Sequence, residues 1–443
     1  MKHTFKRAMM ELQEVRKQDF HALCRVKMNY FTRKRKLPLK ELVLSVIARK
    51  GKTLVMELKA FFQQIGKTGN GISKAGYTKQ RQKLNPLALK HLADLRASNF
   101  YKDSQMVGRL RGYIVLANDG SGINLPNSEE TINTYGSSSR KGTKPQAQLG
   151  LGCMFDVINK MIVGSTISRY KFNERQCALE QMDRAEELVG SKKVIYLFDR
   201  GYISGEMLLE LNEQNRKYLI RVGANNFKAE QAGMSSSDEE VTIKFTKNRI
   251  NAHRRNGNIK TADRLAAAGS VQVRFVQITL DNGETECFAT NLAEEEFNTD
   301  DIKYLYHLRW EIETAFDFLK NRLHIENFTG TKPIIIEQDI YAAVYLSNII
   351  QDMCIEAQME FEQTNERRYK HPMTINKNIA AGALKEALIE FVIIRNFKQK
   401  QLLFDEILDF IQANIIPIRE ERKYDRTKGR LAGKYSNVNK RAY

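Results

Sequence analysis

The chain reads as an α/β protein, with a mixed sheet at its centre and helical regions before and after it. Three observations predict this class. Residues 1–108 carry apolar positions at helical spacing, interrupted by turn residues. From Gly112 onward, short apolar runs bounded by Gly, Asn and Asp alternate with helical stretches, as in α/β sheets of mixed direction. After residue 300, helical periodicity resumes and dominates as far as residue 414.

Taken in order, helices are expected over 39–47, 54–65 and 73–84, with a turn-rich break at 66–71. The basic run 33–36 precedes Pro38, and the third helix carries Lys74, Lys79, Arg81 and Lys83 before Pro86. Three short helices with a basic last one suit either a helix-turn-helix reader or an ordinary solvated face. The first strand, 113–117, ends in Asn118-Asp119-Gly120, and a Ser-, Gly- and Lys-rich loop spans 136–145. Strands at 148–157 and 161–168 turn at Asn159, and a helix covers 174–189. A strand at 193–198 ends in Asp199-Arg200-Gly201-Tyr202. Ser204 can cap the next helix, and 218–222 returns as a strand. Between 223 and 300, strands at 241–246, 271–280 and 286–290, with a hairpin turn at 281–283, predict a β-rich insertion around a basic stretch. The tail 419–443 is rich in Lys and Arg and reads either as an arm reaching for phosphates or as a solvated tail.

The formal charge of +19 in 443 residues, with a pI near 9.5, favours a polyanionic partner, because neutralising phosphates releases condensed counterions. No apolar run is long enough for a membrane span, and no apolar signal core stands at the N-terminus. The five cysteines form no Cys-x-x-Cys pair, and no two of the seven histidines have metal-ligand spacing. A reducing cytoplasm is expected, and carboxylates must hold any metal.

The most informative segment is 306–320. On one helix at about 100° per residue, Tyr306, Arg309, Glu313 and Lys320 share a stripe about 60° wide. Leu305, Leu308, Ile312, Phe316, Leu319 and Leu323 fill the adjacent apolar sector. An acid flanked by two cations and a phenol suits a carboxylate on a metal with basic groups gripping phosphate beside it. An amphipathic helix with ordinary ion pairs is the plainer reading. Asp119 and Asp199 each end a predicted buried strand, where open α/β sheets bind ligands. With Glu313 they can hold two divalent cations for an in-line phosphoryl displacement, and Mg²⁺ or Mn²⁺ suits such all-oxygen ligands.

Tyr306-x2-Arg309-x3-Glu313-x6-Lys320 resembles the helix signature of the insertion-sequence 4 family of DDE transposases. Asp199-Arg200-Gly201-Tyr202 resembles the family's second-aspartate motif, and Asp119-Gly120 with Leu125-Pro126 its first. The resemblance covers roughly residues 112–325. It implies a ribonuclease-H-like core with a β-rich insertion, and Asp119, Asp199 and Glu313 as catalytic metal ligands. It implies that Tyr306, Arg309 and Lys320 hold a DNA phosphate, and that Arg200 and Tyr202 support the second aspartate. The implied activity is cut-and-paste transposition on terminal inverted repeats, with double-stranded DNA as transposon end and target, a homodimeric synaptic complex, and a bacterial, nucleoid-associated location. The aromatic that holds a flipped base in hairpin-forming members does not carry over, since the single tryptophan, Trp310, lies inside the helix signature. The expected partition is a helical DNA-binding domain at 1–108, the catalytic core at 109–325 with its insertion at 223–300, a helical region at 326–418 and the tail. A transposase-derived nuclease or a non-catalytic DNA-binding protein are the alternatives.

Overall fold

The computed structural model describes residues 1–33, 36–67, 71–139, 144–190, 193–280, 283–365 and 367–418. The tail 419–443 therefore lies outside the described residues, as do parts of the 33–36 run, the 66–71 break, the 136–145 loop and the 281–283 turn.

Six helices come first: α1 (His3–Glu14), α2 (Gln18–Leu23), α3 (Leu39–Ile47), α4 (Leu54–Gln64), α5 (Lys74–Arg81) and α6 (Leu87–Tyr101). Then follow β1 (Tyr113–Asn124), α7 (Glu129–Tyr135), β2 (Ser137–Ser138), β3 (Gln146–Asp156), β4 (Met161–Arg169), α8 (Glu174–Val189), β5 (Lys193–Phe198), α9 (Gly205–Glu213) and β6 (Lys217–Val222). The next tract holds α10 (Lys228–Ala232), β7 (Asp238–Lys244), α11 (Lys247–Arg255), α12 (Ile259–Ala268), β8 (Ser270–Thr279) and β9 (Thr285–Thr290). After it come α13 (Thr299–Leu308), α14 (Glu311–Asp317), a π-helical turn (Phe318–Arg322) and the long α15 (Pro333–Thr364). The last described elements are β10 (Met373–Ile375), α16 (Lys377–Ile393), α17 (Phe397–Gln412) and β11 (Ile415–Pro417).

One large mixed sheet organises the molecule, with strand order β2-β3-β1-β5-β6-β9-β8-β7 and β4 paired to β3. The central strands β1, β5 and β6 run parallel, joined through α8 and α9, and every other pairing in this sheet is antiparallel. The central strands are apolar on both faces, which is why they read as unbroken apolar runs. Val115, Ala117, Ile195 and Leu197 face a core shared with Leu305, Ile312, Phe316 and α15. Ile114, Leu116, Tyr196 and Phe198 face α8 and α9 through Ala178, Met182, Met207 and Leu208.

The structure refines the reading of two stretches. The strands of 223–300 exist, but β9 pairs with β6, so they extend the central sheet. The basic stretch between β7 and β8 is a helical pair, α11 and α12, whose Ala262 and Leu265 are buried. Similarly, β1 does not end at Ala117. Its parallel pairing with β5 stops there, but antiparallel pairing with β3 continues through Asn124.

The N-terminal helices pack on α15 through buried ion pairs. Asp352 accepts from Arg7 Nε at 2.7 Å and from an Arg96 Nη at 2.8 Å, and Arg96 also reaches Glu11 at 2.7 Å. Glu356 accepts from the backbone N–H groups of His3 and Thr4, so a carboxylate of α15 caps the start of α1. Arg81, one of the basic residues of the third expected helix, points inward and pairs with Asp339 at 2.8 Å. Lys74 and Lys79 remain exposed on that helix. Among the described residues no helix is long and apolar enough to cross a membrane.

Candidate active site

The site lies where the parallel pairing of β1 and β5 ends. Asp199 directly follows β5, and Asp119 sits within β1, opposite Cys153 of β3. Glu313 comes from α14, whose Ile312 and Phe316 are buried in the core beneath the sheet.

The 306–320 segment is not one regular helix. It ends α13 at Leu308, tightens through i→i+3 bonds (Ile312 N–H to Arg309 O, Glu313 N–H to Trp310 O), and loosens again in the π-helical turn. The expected grouping survives for three of its four side chains. Arg309 Nη2 donates to Glu313 Oε1 at 3.2 Å, and its guanidinium lies 5.6 Å from the Tyr306 ring centre. Lys320, carried by the π turn, reaches β1 and donates to Ser121 Oγ at 2.7 Å and Gly122 O at 2.9 Å.

Arg309 is the hub. A second Nη stands 3.8 Å from Asp119 Oδ2, while the Tyr306 hydroxyl donates to Asp199 Oδ1 at 3.3 Å. Burial alone would lower the Arg309 guanidinium, but Tyr306, Asp199, Asp119 and Glu313 together hold it above its ordinary value. Among the described residues, its Nε is buried without a hydrogen-bond partner. Burial pushes the Asp119 carboxyl up to about 6; the Gly120 N–H and Arg309 oppose this, and Glu174 and Glu313 add to it. Burial also lifts the Tyr306 phenol to about 12, so it stays a proton donor, and lowers the Lys320 ammonium.

Of the two supporting residues, Tyr202 is buried, donates its backbone N–H to Asp199 O at 3.0 Å and packs its ring 5.2 Å from Phe198. Arg200 is exposed. Glu174, which the sequence marks only as a helix start, stands at the first position of α8 with Asp119 and Asp199 within its field. Among the described residues, no three acids, imidazoles or thiols are drawn close enough to hold one ion as they stand.

Residues 110–349, more than half of the chain, match the transposase DDE domain family. The chain is 28% identical over 135 residues to the transposase of insertion sequence element IS421 of Escherichia coli, covering 30% of this chain and 32% of that protein. InsL, the transposase assigned to element IS186A of Escherichia coli strain K12, matches to the same extent, 28% over 135 residues. The chain thus spans about a third of the length of these curated relatives. A cryo-EM structure of the piggyBac transposase synaptic complex with hairpin DNA aligns over 94% of this chain and 82% of that one, at 9% identity. Its TM-score of 0.42 is too low to bear on the site. With its central sheet and the site-bearing segments inside the matched region, the chain belongs to the family of transposase DDE domains.

Proposed function

We propose that this protein is a transposase of the insertion-sequence 4 family that binds the terminal inverted repeats of its element and moves it by cut and paste. The observation that carries this reading is the meeting of Asp119, Asp199 and Glu313 around Arg309 where the pairing of β1 and β5 ends. The antiparallel β4-β3-β1 set followed by parallel β5 and β6 supports a ribonuclease-H-like core within 109–325. The helical residues 1–108, with Lys74 and Lys79 exposed, are the proposed DNA-binding region, and a homodimer is the proposed synaptic unit.

The donor set fits Mg²⁺ or Mn²⁺. Three carboxylates offer only hard oxygen atoms, and Asp119 is desolvated beyond what Arg309 and one N–H offset. Asp119, Asp199 and Glu313 would hold two ions once Arg309 yields its place between them. Such cations supply an activated water or 3′-hydroxyl and a counter-charge for the leaving oxygen of phosphoryl transfer. The chain's own residues do the rest. Tyr306 orients Asp199 through its hydroxyl. Lys320 brings a cation to the strand of Asp119, and Arg309 offers a planar donor fork to a DNA phosphate.

The test is excision of a marker flanked by the gene's own DNA, with protein supplied in trans. Wild type excises the marker, and Glu313→Gln at equal expression does not. Equal excision by both proteins would remove Glu313 from catalysis and end this reading.

Proton competition gives a second expectation. Because burial pushes the Asp119 carboxyl up to about 6, Mn²⁺ must displace its proton below that pH and meets a free carboxylate above it. Affinity for Mn²⁺ falls as pH drops through 6, by about tenfold per unit at the limit of one displaced proton. Isothermal titration between pH 5 and 8 measures it. Asp119→Asn should flatten this dependence, and an unchanged slope in that variant would assign it to another group.

A further inference from the structure

Two adjacent strands carry paired glycines on the face toward α8. Gly120 lies opposite Gly152, and Gly122 opposite Gly150, across the β1–β3 register. The bare floor they leave is filled from above. A Cβ at Gly150 would overlap the Phe172 ring, and one at Gly152 would stand 3.0 Å from Gln181 Nε2. Gln181 of α8 is itself tied to β1, its Oε1 accepting from Asn118 Nδ2 at 2.6 Å.

This packing fixes the start of α8. Asn173 caps the helix by accepting from Gln176 N–H, and Glu174 follows as its first residue. A Cβ at Gly120 would stand 3.4 Å from Glu174 Oε1, so this carboxylate lies over the residue next to Asp119. Side chains alternate faces along a strand. Asn118 and Gly120 face α8, whereas Asp119 faces Arg309 and α14. The end of the β1–β5 pairing is therefore bracketed, with Glu313 on one face of the sheet and Glu174 on the other. Glu174 makes no hydrogen bond or ion pair among the described residues, although it shares the field of two further carboxylates. Glu174 is exposed, so its carboxylate is open to a cation that would relieve the repulsion it shares with the two others.

We propose that Glu174 is a fourth carboxylate ligand of the cation centre, reaching it from the face of the sheet opposite Glu313. The proposal rests on the reading of Asp119, Asp199 and Glu313 as cation ligands. Asp119, Asp199 and Glu313 would hold the cations from the side of α14, and Glu174 would add a fourth carboxylate from the side of α8.

The experiment titrates Mn²⁺ into the purified full-length chain and follows free Mn²⁺ by electron paramagnetic resonance. Wild type, Glu174→Gln, Glu174→Asp and Asp119→Asn are compared, with circular dichroism melting as the control for folding. Glu174→Gln is expected to weaken Mn²⁺ binding by roughly 10- to 100-fold, the range seen when groups that support a metal are removed. Glu174→Asp keeps a negative charge at the helix start but withdraws the oxygen by one methylene. It should melt like wild type and still bind Mn²⁺ more weakly. If both Glu174 variants bind as wild type while Asp119→Asn does not, Glu174 only favours the α8 dipole and this inference is overturned. If Asp119→Asn also binds as wild type, or wild type binds no Mn²⁺, the cation centre itself is overturned with it.

Discussion

Asp352→Ala is expected to cost about 3–5 kcal/mol and to loosen the N-terminal helices from the rest of the molecule. The carboxylate of Asp352 is fully buried and serves two arginines that are themselves buried, Arg7 on α1 and Arg96 on α6. Removing it leaves two guanidinium groups in the interior with less counter-charge than they need. Arg7 keeps Asp103, and Arg96 keeps Glu11, so the network weakens without vanishing. A buried ion network contributes little net stability compared with apolar residues of the same shape, yet breaking it from one side is costly, because the orphaned charges cannot reach water. Tyr345, on the same helix as Asp352, donates to Glu11, so the loss should spread along α1. Hydrogen exchange read by mass spectrometry locates the effect. Protection should fall in α1 and α6 and persist in β5 and β6. A variant whose denaturation midpoint and exchange pattern match wild type would show that apolar packing, through Phe5 and Phe100, holds these helices without the charges.

The same network shows what the sequence could and could not disclose. Bounds set by local chemistry were readable. Helix α8 begins after the Asn173 cap and ends at Gly190, whose positive φ of 71° suits glycine, and the expected 174–189 matches it. Strand β5 likewise occupies the expected 193–198, leaving Asp199 just past its end. Features set by partners were not readable. That β1 runs on past Asp119 depends on β3, which continues alongside after β5 has stopped. The strands of 223–300 could be found from their alternation, but their membership of the central sheet rests on β9 meeting β6. Arg81 has the sequence context of a surface cation, and only Asp339 and Gln338 on α15 reveal it as an internal one.

In the site, the Tyr-Arg-Glu-Lys spacing was legible although the regular helix assumed for it was not. Tyr306, Arg309 and Glu313 still converge across the tight turn at 309–313, while Lys320, carried by the π turn at 318–322, swings over to β1. Glu174 escaped notice because nothing near it in sequence marks it. The signal that could have found it is the alternating Gly120-Gly122 and Gly150-Gly152 pattern, which leaves room over two neighbouring strands for another element to approach.

Arg309→Gln should separate two roles that act in opposite directions. Arg309 is the cation that three carboxylates share, 3.2 Å from Glu313 and 3.8 Å from Asp119, with Asp199 within its field. Its removal leaves like charges facing one another, so the metal-free variant is expected to melt at a lower temperature than wild type. Divalent cations then meet less competition, and the rise in melting temperature on adding Mn²⁺ should exceed that of wild type. DNA cleavage should fall nonetheless, by about 10²–10³-fold, the loss typical when a donor aimed at developing charge is removed. Arg309→Lys keeps the charge and loses the planar fork, so it should restore the metal-free melting temperature more fully than it restores cleavage. Differential scanning fluorimetry across a Mn²⁺ series, paired with cleavage of an end-bearing duplex, reads both quantities on the same protein. A smaller Mn²⁺ response in Arg309→Gln than in wild type would mean that the arginine holds the carboxylates in place for the cation. The opposite result, a larger response with weaker cleavage, makes Arg309 the occupant that the cations displace and the donor that the phosphate then receives.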